Sequence, residues 1–125
     1  MPPTIGLAAA RAANGLAADN PVYEGVTIAV APGWMRSVWI GPVNAMALPR
    51  TIYVTNELFD RIIAGNARSL LAHESAHIEQ WKRHGRIGFL GRYLTDYVRN
   101  RLRGLPHTEA YRAIRFEKEA SSRIE

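Results

Sequence analysis

Hydrophobic and polar positions follow two different periods along this chain, and the change falls near Asn56. Before it, short β-branched runs are cut by Pro and Gly. Val26–Val30 ends at Pro32-Gly33, Ser37–Ile40 at Gly41-Pro42, and Ala45–Leu48 at Pro49; Thr51–Thr55 is the clearest strand after the first. Such runs predict three or four short strands in an antiparallel or mixed sheet. Pro42 and Pro49 put the middle strand at a sheet edge or break it, because proline cannot donate to a central ladder.

After Asn56 the period becomes helical. Asn56–Phe59 opens a helix that runs to Gly65. Asn66–His84 carries Leu70, Leu71, Ile78 and Trp81 at helical spacing and ends at Gly85. Arg86–Arg103 predicts another helix, closed by Gly104 and Pro106. Ile87, Leu90, Leu94, Tyr97, Val98 and Leu102 form its apolar stripe, and most of its arginines lie off that stripe. Thr108–Ile124 predicts a last helix, with Thr108 as its N-cap. The stripe is expected to pack beneath the Asn66–His84 helix.

Residues 1–20 read as an N-terminal arm. The alanine-rich stretch Leu7–Ala13 favours helix but offers little apolar bulk, and Asp19-Asn20-Pro21 is a turn signal. The remainder, 21–125, fits one domain. The fold class is therefore α+β: a small three- to four-stranded mixed sheet, followed by the Asn66–His84 helix and two further helices.

Composition narrows the chemistry. Of 125 residues, 47% are hydrophobic and 22% charged, which suits a packed core. There is no cysteine, so a metal would have to be held by His, Asp or Glu. The net charge of +5 and the pI of about 10.1 favour acidic partners. Seven of the basic residues fall between Lys82 and Arg103, where Asp96 is the one acid, so an anionic surface is a second reading of that helix. No aromatic-interleaved pattern supports nucleic-acid binding, and Trp34, Trp39 and Trp81 read as core or rim residues. No apolar run is long enough to span a membrane. The N-terminus lacks the basic start of a signal peptide, so a cytoplasmic location is expected, with export by another route still compatible.

The chemistry concentrates at His73-Glu74-Ser75-Ala76-His77, an H-E-x-x-H match inside a predicted helix. Positions four apart differ by roughly 40° around a helix axis, so both imidazoles leave from one face. There they can share one zinc ion, and Glu74 beside them can take a proton from a water and return it to a leaving amine. A catalytic zinc needs a third protein ligand. His84 lies too far along the axis, and Gln80 and Arg83 break the longer three-histidine pattern. Phe116-Glu117-Lys118-Glu119-Ala120 offers two glutamates, which point to nearly opposite sides of a helix, so one of them can face the metal.

With these landmarks the chain resembles the gluzincins, zincins whose third ligand is a glutamate on a later helix. More closely it is similar to small bacterial metallopeptidase domains marked by H-E-x-x-H and a later P-F-E-x-E-A. The likeness spans residues 22–121, including Gln80-Trp81 and Arg92-Tyr93-Leu94. It implies a zinc-dependent endopeptidase acting on a peptide or protein. His73, His77 and Glu117 would be the metal ligands, with Glu119 as the alternative third ligand and Glu74 as the catalytic residue. It also implies a sheet edge that pairs with an extended substrate, here within Val38–Leu48. Two positions depart from the pattern: Ser121 stands where an acid usually supports a histidine ligand, and Arg115 stands where proline precedes the Phe. Tyr111 and His107 are candidates for contacts to the oxyanion or the substrate, each also readable as a packing Tyr and a solvated loop His. The second functional reading is a catalytically inactive binding or assembly module of the same fold, with zinc structural or absent.

Overall fold

The computed structural model describes residues 3–37 and 45–122. The expected strand Ser37–Ile40, with Trp39, falls largely outside them. So do Pro42, the first part of the proposed substrate edge, and the last residues of the C-terminal helix.

The sheet has four strands, β1 (Thr4–Gly6), β2 (Thr27–Val30), β3 (Ala45–Ala47) and β4 (Thr51–Val54), in the order β1-β2-β4-β3. It is mixed: β2 and β4 run parallel, and the outer strands are antiparallel to their neighbours. β3 is an edge strand, and Pro49 lies two residues past its end. Ile28, Ile52 and Val54 share one face of the two central strands and are fully buried under the helices.

The segment read as an arm carries β1 and helix α1 (Leu7–Ala13) of this fold. Leu7 and Ala10 are fully buried, and Leu16 joins the same core. Small alanines let α1 approach closely, so the segment packs despite its low apolar bulk. Asn14 then ties three elements together. Its Nδ2 donates to Ala10 O at 2.9 Å and to Ile62 O at 3.0 Å, and its Oδ1 accepts from Ala67 N at 2.8 Å. Those partners lie in α1, at the end of helix α3 (Asn56–Ile63) and at the start of helix α4 (Arg68–Leu102). A short helix, α2 (Gly33–Ser37), follows β2 and carries Trp34 at 70% exposure.

α4 contains the two long helices expected from the sequence, joined at Gly85. Gly85 has φ 72° and ψ 170°, a conformation essentially reserved for glycine, so the chain bends there without leaving the helical path for long. The expected packing of the second half is corrected. Ile87, Leu90, Leu94, Val98 and Leu102 are exposed, and Phe89, Asp96 and Asn100 form the buried face. Phe89 stacks between Trp81, at 4.1 Å, and Phe116, at 5.0 Å between ring centroids. That aromatic column outcompetes the aliphatic stripe for the interior.

The last helix is also corrected. It is two helices, α5 (His107–Arg112) and α6 (Arg115–Ser121), broken at extended Ile114, and the residue before α5 is Pro106 with no side-chain cap. Buried Ile114 and Ala110 hold the break in place. Asp96 fixes the start of α6, accepting from Arg115 Nε and Nη2 at 2.9 Å each and from the Arg115 backbone N at 3.2 Å.

Candidate metal centre

His73 and His77 lie one turn apart on the first half of α4, and Glu117 lies on α6. Glu117 Oε1 is 3.0 Å from His73 Nε2 and 3.2 Å from His77 Nε2, and the two Nε2 atoms are 3.2 Å apart. These three side chains could hold a metal ion, and their ligand atoms all lie within 4.8 Å of one another. The donor set fits zinc. Ligands at about 2.0–2.1 Å in a tetrahedron stand about 3.3 Å apart, close to the edges of this triangle.

Each group in the triangle is oriented by another. His77 Nδ1–H donates to Gln80 Oε1 at 2.8 Å, since an amide oxygen can only accept, and this leaves Nε2 for the centre. Gln80 is held in turn: its Nε2 donates to Phe116 O at 3.0 Å and Glu119 Oε1 at 3.2 Å. Tyr93 donates to Glu117 Oε2 at 2.7 Å. His73 Nδ1 lies 3.4 Å from Ser121 Oγ, so the serine at the expected acidic position still reaches the ring.

Charges follow from burial and proximity. Burial works against ionised Glu117, yet hydrogen bonds from His73 and His77 outweigh it and hold the carboxyl far below its usual range. Burial also opposes a charged His77, but the hydrogen bond and charge of Glu117 raise its pKa. Burial raises Glu74, against the pull of His77 and His73. Tyr93 and Tyr111 are pushed up, first by burial and then by the charge of Glu117, so both stay protonated and can donate.

A cleft of about 240 Å³ opens at this cluster. Glu74, His77, Glu117, Tyr93 and Tyr111 line it on the helical side, and Ala45–Leu48 line it on the sheet side. Trp81 joins the two walls, donating from Nε1 to Ala47 O at 2.9 Å. The register explains why that carbonyl is available. Leu48 N pairs with Thr51 O, so the alternation of an antiparallel ladder turns the polar groups of Ala45 and Ala47 away from β4 and toward the cleft.

Of the remaining residues singled out by sequence, Glu119 is exposed and meets Gln80 and Arg83, at 3.7 Å from Arg83 Nη1. His107 Nδ1 is paired with Tyr97 Oη at 2.8 Å and does not line the cleft. His84 packs against Phe116. Tyr93 and Gln80 are the contributors that spacing alone missed. Both lie in stretches that the resemblance covers, Gln80-Trp81 and Arg92-Tyr93-Leu94, and Gln80 sits one helical step after His77.

No family model matches the chain, and no curated protein and no solved structure matches it.

Proposed function

We propose that this chain is a zinc-dependent peptidase of the gluzincin kind, with His73, His77 and Glu117 as ligands and Glu74 as general base and acid. The observation that carries the reading is the near-equilateral triangle of ligand atoms, 3.0–3.2 Å on each side, beside a cleft that His77 and Glu117 line. When bound, zinc would lower the pKa of a water and polarise a carbonyl. Glu74 lines the same cleft, and its raised pKa suits a group that must take a proton from that water and pass it to the leaving amine. Tyr111, which lines the cleft and stays protonated, would donate to the carbonyl oxygen as negative charge develops there. Tyr93 and Gln80 act through the ligands, by fixing Glu117 and His77. The outward N–H groups of Ala45 and Ala47 on β3 offer an extended peptide a strand to pair with, directly beside Glu74 and His77.

The test is metal content together with cleavage of a mixed peptide pool. The wild type should bind one zinc per chain and cleave. Glu74→Gln should keep the zinc and lose about 10²–10⁴-fold in rate, and His77→Ala should lose the zinc. Zinc bound without cleavage, or equal cleavage by Glu74→Gln, would exclude the peptidase. Full zinc stoichiometry in His77→Ala would exclude the ligand set.

A further inference from the structure

The second half of α4 turns Phe89, Asp96 and Asn100 inward and leaves its aliphatic face outside. Ile87 is 89% exposed and Leu102 84%, with Leu90, Leu94 and Val98 about half exposed between them. At about 100° per residue, these five side chains form one ridge, roughly opposite the Phe89/Asp96/Asn100 face that enters the core. The ridge runs about 22 Å along the helix, at 1.5 Å per residue. An exposed apolar strip of this kind marks a contact surface.

The flanks indicate what covers it. At the same spacing Arg101 falls within the ridge and Arg86 just beside it, while Arg92 and Arg99 lie further round towards Asp96, all four exposed. The one acid on this half-helix, Asp96, is buried and bound to Arg115, so no carboxylate of this segment faces outward. Two such ridges from two copies of the chain would bring guanidinium groups together, in a protein already at +5. A fluid surface needs no matching shape. No helix among the described residues is apolar and long enough to cross a membrane, so the helix would lie along a surface.

We propose that the Arg86–Leu102 half of α4 docks on an anionic lipid bilayer, with Ile87, Leu90, Leu94, Val98 and Leu102 entering the acyl boundary and the flanking arginines meeting lipid phosphates. This stands independently of the metal centre. The two surfaces meet at Leu90, which also lines the cleft.

Vesicle cosedimentation of the full chain tests the assignment. The wild type should bind phosphatidylcholine vesicles containing about one-third phosphatidylglycerol at least about tenfold more tightly than pure phosphatidylcholine, and 0.5 M salt should largely release it. Leu94→Gln with Val98→Gln should weaken binding at least about tenfold, as should Arg86→Gln with Arg101→Gln, both with unchanged circular dichroism. No preference for anionic vesicles, or wild-type binding by both double variants, overturns the proposal. A salt-insensitive dimer that Leu94→Gln/Val98→Gln dissolves overturns it in favour of a second copy. Binding to polyglutamate without binding to vesicles overturns it in favour of an acidic protein.

Discussion

Tyr93 donates to Glu117 Oε2 at 2.7 Å, from the second half of α4 to α6, across a separation of 24 residues. The bond holds in place the carboxylate that faces both histidines. Tyr93→Phe keeps the ring, which packs near Phe89, and removes the hydroxyl that faces Glu117 and Tyr111. Zinc affinity is expected to fall about tenfold to a hundredfold with the fold intact. Competition with a fluorescent chelator measures it. Unchanged affinity would show that Glu117 needs no such support.

Zinc binding should depend on pH with a definite sign. His77 has a raised pKa because Glu117 stabilises its charged form, and a ligand must shed that proton. Affinity therefore falls as pH drops through the raised value, and zinc uptake near neutrality releases protons. Titration calorimetry in buffers of different ionisation enthalpy reads this release. Equal affinity at pH 6 and pH 8 would contradict it. The metal-free pair has its own window. Stability from charged His77 is lost as pH rises through its raised pKa, and stability from ionised Glu117 is lost as pH falls through its lowered one.

Asp96 gives a second pH signature, away from the ligands. Its hydrogen bonds with Arg115 lower its pKa. The resulting stability is complete above the unfolded value of about 3.9 and disappears as pH falls through the lower folded value. Asp96→Asn should cost about 1 kcal/mol at pH 7, a modest figure because Arg115 is largely exposed. Urea unfolding should show the gap narrowing at pH 2–3. A gap that persists in acid would assign the effect to packing.

Much of the fold is legible in the sequence because its signals are local. β2 and β4 are β-branched runs between turn residues, and α3 starts at Asn56 behind Thr55, whose hydroxyl accepts from Leu58 N. Three features escape for non-local reasons. β1 is three residues long and exists by pairing with β2, some twenty residues later. The second half of α4 buries one aromatic and two polar residues and leaves its aliphatic stripe outside, and periodicity cannot foresee that a distant Phe116 will select Phe89. The break at Ile114 carries no Gly or Pro. Within the site, the four-residue spacing of His73 and His77 is a local fact and could be read directly. Glu117 came from resemblance, and the bonds of Tyr93 and Gln80 required the tertiary fold.

Asn14 supports the start of α4 from a segment whose composition suggests little. Asn14→Ala would leave Ala67 N buried without its acceptor and remove two donated bonds. A loss of about 2–3 kcal/mol is expected in denaturant unfolding. A change below 0.5 kcal/mol would mean that water replaces the side chain.

Gly85→Ala tests the bend. A Cβ there meets nothing within 4 Å, so any effect comes from the backbone. With φ 72° and ψ 170°, alanine should cost about 1–3 kcal/mol. A stabilised variant would instead indicate that α4 straightens.

Glu117 meets His77 across 40 residues of chain. An ion shared by the two would therefore act as a cross-link that closes a long loop, restricting the unfolded chain as a disulfide does in proteins that have cysteine. For a chain with none, loading and unloading that ion would set how firmly α5 and α6 are fastened to the rest.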